Sequence, residues 1–118
     1  MKYLLVIMLL TGCADKLYSV NKRINSYQYI PHGAAKDFYK NGGGDCKAFA
    51  VIKYQELLKD GYDMKFVIIP KEKTTGLAHA VLEVDGLILD NMNDKLNRAS
   101  SVKGYRVNYE TMQLIARK

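Results

Sequence analysis

Gly42-Gly43-Gly44-Asp45-Cys46-Lys47-Ala48-Phe49-Ala50 is the stretch from which the rest of the chain can be read. Three consecutive glycines tolerate backbone conformations that a Cβ would obstruct, so they predict a sharp turn. Asp45 is a preferred N-cap residue and an apolar run follows it at once, which predicts a helix opening at Cys46. The thiol then sits in a first helical turn, where free N–H groups and the helix dipole favour thiolate over thiol. A sulfur so placed is a candidate nucleophile, provided the chain brings a base to it.

Outward from this stretch, the chain has the size of one domain with a modest core, at 118 residues. Its apolar and charged fractions are ordinary, and no repeat or low-complexity tract is visible. Formal charge is +6, but the basic residues are scattered singly. That pattern describes a solvated surface and argues against a nucleic-acid partner.

The amino terminus reads as an export signal. Lys2 is a minimal positive n-region, and Tyr3 to Leu10 form an apolar run too short to span a bilayer. Leu10-Thr11-Gly12-Cys13 resembles the site at which bacterial prolipoproteins are cut before a cysteine that is then acylated. Residues 1–12 are therefore expected to be a lipoprotein signal peptide, Cys13 the lipidation site that anchors the chain to a membrane, and 13–118 the mature domain. Ala14 fits sorting to the periplasmic face of the outer membrane or to the cell surface. A buried first strand of a cytosolic protein is the plainer alternative.

With Cys13 consumed by lipid, Cys46 has no partner within the mature chain. Exported domains generally use cysteines in pairs, so a single one points to a reactive thiol. One cysteine and two histidines do not make a usual structural zinc set.

Leu17, Val20, Ile24 and Tyr27 recur at helical spacing, predicting a helix from near Asp15 that ends before Pro31. Ala34 to Tyr39 is a candidate second, short helix. The central helix is expected from Cys46 to about Lys59, stopped by Asp60-Gly61. Its apolar face holds Ala50, Val51, Tyr54, Leu57 and Leu58, with Gln55, Glu56, Lys59 and Asp60 opposite. Phe49 and Ile52 break that division, so its first two turns are expected to be buried nearly all round.

Past Gly61 the pattern changes to strands. Lys65 to Ile69 is rich in β-branched residues, Lys71 to Gly76 is a polar loop, and Lys103 to Tyr109 alternates as a strand. Leu77 to Val84 and Leu87 to Met92 flank Asp85-Gly86, a strong two-residue hairpin signal. The fold class expected is α+β, with N-terminal helices and a central Cys-bearing helix packed on an antiparallel sheet.

The hairpin register carries the sharpest inference. If Val84 faces Leu87, then Val81 faces Asp90 and His79 faces Met92. Strand residues alternate faces, so His79 and Asp90 share a side as diagonal neighbours, roughly 7–8 Å apart at the backbone. A base and an orienting acid are thus paired by local geometry. Each residue has a plainer reading: Cys46 as a small buried hydrophobe, His79 as a satisfied sheet histidine, Asp90 as the start of a turn over Asn91-Met92-Asn93-Asp94. Together they fit better as a nucleophile, base and orienter. His32, between Pro31 and Gly33, reads as a loop residue.

Gly44-Asp45-Cys46 opening an apolar helix, Ala78-His79-Ala80-Val81 on a strand and Leu89-Asp90-Asn91 on the next resemble the bacterial transglutaminase-like cysteine proteinases. The resemblance runs from about Val20-Asn21 through Tyr109. It implies a papain-like or transglutaminase-like core, with Cys46 as nucleophile, His79 as base and Asp90 as its orienter. It further implies a protein or peptide substrate, including cell-surface proteins, and cleavage of amide bonds through a thioester.

Family members often carry an acidic residue just after the cysteine, associated with calcium dependence alongside the preceding aspartate. Lys47 stands there in this chain, which leaves Asp45 a weak calcium candidate and no cofactor expected to be required. The chain also lacks tryptophan, which many members carry around the cleft. Backbone N–H groups at the helix start are natural oxyanion donors, and Gln28 is a candidate side-chain donor. The competing readings are a transglutaminase or peptidoglycan amidase with the same three residues, and a non-catalytic lipoprotein that binds a peptide or cell-wall component.

Overall fold

The computed structural model of the chain describes residues 15–70 and 78–116. The proposed signal segment 1–12, Cys13, Ala14 and the polar loop Lys71 to Gly76 lie outside the described residues. The architecture is mixed, with helices ahead of an antiparallel sheet. Its centre is a helix, α3 (Cys46–Leu57), continued by a 3-10 turn over Leu58–Asp60. Asp45 caps it as expected, its Oδ1 accepting the Ala48 N–H at 2.9 Å. Gly61 ends it in the left-handed region, at φ 74°.

A first helix, α1, covers residues 15–25, and its Leu17, Val20 and Ile24 are buried. It stops short of Pro31 because the chain then extends: β1 (Gln28–Tyr29) pairs in parallel with β2 (Gly43–Gly44). Tyr27, expected within the helix, lies just beyond it and packs on Phe38 at 5.0 Å between ring centres. This pairing explains the middle glycine of the opening stretch, since a Cβ on Gly43 would fall 1.7 Å from the Gln28 carbonyl oxygen. Between the two strands, a 3-10 turn over Ala35–Asp37 leads into the short α2 (Phe38–Asn41), closed by Gly42 at φ 78°. Phe38 and Phe49 meet edge to face at 5.1 Å and fasten this segment to α3.

Five strands make one antiparallel sheet in the order β6-β5-β4-β3-β7. They are β3 (Met64–Ile69), β4 (His79–Val84), β5 (Leu87–Asp90), β6 (Asn93–Arg98) and β7 (Tyr105–Val107). The hairpin turn is as expected: Asp85 and Gly86 both have positive φ, 48° and 84°, and Val84 pairs with Leu87. Phe66, Ala80, Leu82, Val84 and Leu89 join the main core with α3 and α1, while Val67, Val81 and Ile88 form a smaller cluster.

The structure corrects several local readings. Leu58, assigned to the apolar helix face, is exposed, because the 3-10 turn rotates it out. Met92 leaves the β5 strand and does not oppose His79. The Asp90 carboxylate accepts the Met92 N–H at 3.0 Å, and this tight turn sends the chain directly into β6. That strand, Asn93–Arg98, carries little apolar signal because it lies at the sheet edge. The last strand ends at Val107, where Asn108 caps a further helix, α4 (Tyr109–Ala116), by accepting the Thr111 N–H at 2.8 Å. Tyr109 stacks on Tyr54 of α3 at 4.6 Å, which fixes α4 to the core.

Candidate active site

Three elements meet at one place. Cys46 is the first residue of α3, His79 the first of β4, and Asp90 the last of β5. His79 Nε2 lies 2.8 Å from Asp90 Oδ1. The Cys46 thiol lies within reach of the His79 side chain and the Ala80 backbone N–H, both of which act to lower its pKa. With Nε2 engaged by the carboxylate, Nδ1 is the ring atom left for the sulfur. All three side chains are partly buried, so water reaches the array without flooding it.

Asp90 does two things at once, accepting from His79 and from the Met92 N–H on the same oxygen. Asp90 thus both starts the turn and bonds the imidazole. Asn25 of α1 supports the same loop, its Nδ2 donating to the Asp90 carbonyl at 2.8 Å and to Asp94 Oδ1 at 3.1 Å. Asn21, one helical turn earlier, is fully buried and donates to the carbonyls of Asn93 and Asp94. Sequence reasoning missed both asparagines. Their four-residue spacing on an apolar helical face is the signal that could have drawn attention to them.

The electrostatics follow from this geometry. The Asp90 hydrogen bond, then the bond to Cys46, raise His79 from 6.5 to about 9 against the opposing effect of burial. For Cys46, burial is the largest single influence and pushes the thiol up. The His79 hydrogen bond, the Ala80 N–H and the imidazolium charge together outweigh it, leaving the thiol below its ordinary 9.0. Burial likewise pushes Asp90 up, but the bonds from His79 and Met92 and the charges of His79 and Lys53 hold it below 3.8. The base up and the sulfur down is the pattern of a thiolate–imidazolium pair.

The remaining sequence candidates are placed as follows. Gln28 lies on β1 beside the glycine turn, exposed, with its backbone N–H on the Gly42 carbonyl at 2.9 Å. His32 is exposed in the loop after β1 at φ 61° and does not join the array. Asp45 spends one carboxylate oxygen on the helix cap and the other on the Lys47 ammonium, at 3.1 Å. Lys53 of α3 is buried to 0% exposure, a placement the helical pattern did not suggest.

A half-buried thiol at a helix start, beside an imidazole bonded to a carboxylate on a mixed helix–sheet scaffold, is the kind of arrangement found in cysteine hydrolases. The profile described as bacterial transglutaminase-like cysteine proteinase matches residues 9–114, and the chain belongs to that family. Among solved structures it is similar to LapG of Legionella pneumophila, at 28% identity and TM-score 0.63, covering 79% of this chain and 64% of that one. An EGTA-treated structure of the same Legionella protein matches at 28% identity and TM-score 0.61, covering 76% of this chain and 58% of that one. The chain thus spans a little under two thirds of the length of the solved relatives. A comparison with curated proteins finds no match.

Proposed function

We propose that this protein is an exported, lipid-anchored cysteine peptidase that cleaves amide bonds of protein or peptide substrates with Cys46, His79 and Asp90. The observation that carries this reading is the convergence of the Cys46 thiol, the His79 ring and the Asp90 carboxylate, with His79 Nε2 2.8 Å from Asp90 Oδ1. Family membership and the likeness to LapG support it.

In the proposed reaction His79 Nδ1 holds the proton of Cys46 and the thiolate attacks the substrate carbonyl carbon. The developing oxyanion is met by N–H groups at the start of α3, that of Cys46 included, with Gln28 as a side-chain donor within the same region. His79 then gives its proton to the amine nitrogen as the C–N bond breaks, leaving a thioester on Cys46. Water, deprotonated by His79, attacks the thioester, releasing the carboxylic acid and restoring the sulfur. Asp90 keeps the ring tautomer and stabilises the imidazolium throughout.

No step is assigned to a metal. Calcium takes six to eight oxygen ligands, whereas both oxygens of Asp45 are committed and Lys47 sets a fixed positive charge beside them. Asp45 is thereby left a weak candidate for calcium.

Alkylation of Cys46 by iodoacetamide across pH tests the core of this proposal. In the unaltered protein the alkylation curve should lie below the ordinary thiol value of 9.0, because the His79 ring and the Ala80 N–H favour the thiolate. Peptide cleavage should rise over the same range and fall again as pH passes about 9, where His79 gives up the proton it donates to the leaving amine. His79→Ala should move the alkylation curve up toward the ordinary value. Identical curves for the two proteins would mean that no base assists the sulfur.

The anchor rests on the Lys2-to-Cys13 pattern. Mass spectrometry of the protein purified from membranes should show an amino terminus at Cys13 bearing acyl chains. An intact Met1 would end that part of the proposal.

A further inference from the structure

Asp90 sits where the sheet stops holding its own residues in place. Pairing of β5 with β4 runs from Val84–Leu87 to Leu82–Leu89 and ends one residue short of it. Pairing of β5 with β6 slips between Ile88 and Asp90, so the Asp90–Asn93 pair stands apart from the regular ladder. A strand end that one neighbour leaves and the other meets out of step needs a restraint from outside the sheet. Yet the Asp90 carboxylate is held to His79 Nε2 at 2.8 Å.

That restraint comes from α1. Asn25, the last residue of the helix, donates from Nδ2 to the Asp90 carbonyl at 2.8 Å and to Asp94 Oδ1 at 3.1 Å, bridging the two sides of the turn. Asn21, one helical turn earlier, donates from Nδ2 to the Asn93 and Asp94 carbonyls at 3.0 and 3.1 Å. These partners are carbonyl and carboxylate oxygens, which accept, so the amide nitrogens are the atoms that must face the turn. The amide oxygens of both side chains are buried and have no partner among the described residues. Asn21 is 0% exposed, beside the buried Leu17, Val20 and Ile24. Burying an asparagine with one end unpaired is costly, and the bonds to the turn are what offset that cost. Asp90 is thus gripped twice, its carboxylate by His79 and the Met92 N–H and its backbone by Asn25.

We infer that Asn25, backed by Asn21, is a positioning residue of the Cys46–His79–Asp90 array: its amide N–H group pins the Asp90 backbone so that the carboxylate lies in line with the imidazole. The inference rests on the peptidase reading of those three residues. Without the Asn25 donor the Asp90 end of β5 would swing on its slipped ladder, and the contact with His79 would lengthen. The imidazole would then hold its proton less well, and Cys46 would lose part of its base.

The variant that tests this is Asn25→Leu, which keeps a branched side chain of similar size and removes the donor. In the folded variant the His79 ring, followed by NMR, is expected to titrate about one pH unit lower than in the unaltered protein. On a casein-type protein substrate kcat should fall roughly tenfold with KM little changed. An unchanged His79 titration in folded Asn25→Leu overturns the inference, whatever the melting temperature does, because packing alone would give that result. A His79 titrating near its ordinary 6.5 in the unaltered protein would instead overturn the array itself.

A measurement on the unaltered protein stands even if the variant fails to fold. With 15N-labelled Asn, the Asn25 side-chain amide signals should show a step at the pH where His79 titrates, because Asp90 lies between them. Amide signals that hold still through that step overturn the inference.

Discussion

Cys46→Ala is expected to abolish turnover, with a loss on the order of 10⁴-fold or more, while the folded structure persists. The sulfur forms the covalent bond in the proposed reaction, and the other cysteine, Cys13, is the one assigned to lipid. No second nucleophile stands next to His79 in the array. The substitution removes one heavy atom from a half-buried position and leaves the Asp45 cap on Ala48 intact. Its cost to stability should therefore be about 1 kcal/mol. The measurement is hydrolysis of a casein-type protein substrate beside a thermal melt. Cleavage persisting in a folded Cys46→Ala protein would remove the nucleophile assignment.

Asp90→Ala is expected to lower kcat by roughly 10²–10³-fold and to change the titration of His79. The Asp90 hydrogen bond is the foremost reason that His79 rises to about 9, so without it the imidazole should titrate lower, with Cys46 still holding it up in part. NMR titration of the ring protons reads this directly. The sign of the stability effect follows from the raised value. A base with a raised folded-state pKa adds stability that is complete below 6.5 and disappears as pH rises through about 9. The unaltered protein should thus melt well above Asp90→Ala near pH 6, with the gap narrowing toward alkaline pH. Part of the gap should remain, because the variant also strands the Met92 N–H. His79 still titrating at about 9 in Asp90→Ala would show that the carboxylate does not control the base.

The same residues show how far local information reaches. Asp45 announces its cap and Cys46 its helix because both depend on hydrogen bonds within four residues. Asp85-Gly86 announces its turn because few residue pairs accept two positive φ values in succession. The hairpin register is kept from Val84–Leu87 to Leu82–Leu89, and beyond its paired residues His79 and Asp90 meet at 2.8 Å. Met92 shows the limit of that reasoning. Alternation alone continues β5 past Asp90, whereas the carboxylate captures the Met92 N–H and turns the chain. The polar edge strand β6 gave no apolar pattern from which to be read, whereas α4 carries apolar positions but is only eight residues long.

What the amino-acid order determined by itself was the helix opening on Cys46 and the hairpin that brings His79 and Asp90 into adjacent strands. Each is set by backbone conformations and hydrogen bonds between residues a few positions apart. Only the tertiary structure decided that the Cys46 sulfur meets an imidazole 33 positions later, that β1 lies against the glycines, and that Lys53 is shut inside. Those contacts come from burying apolar faces of distant segments against one another. That burial is favourable but non-directional, and no local pattern specifies which partner will be found.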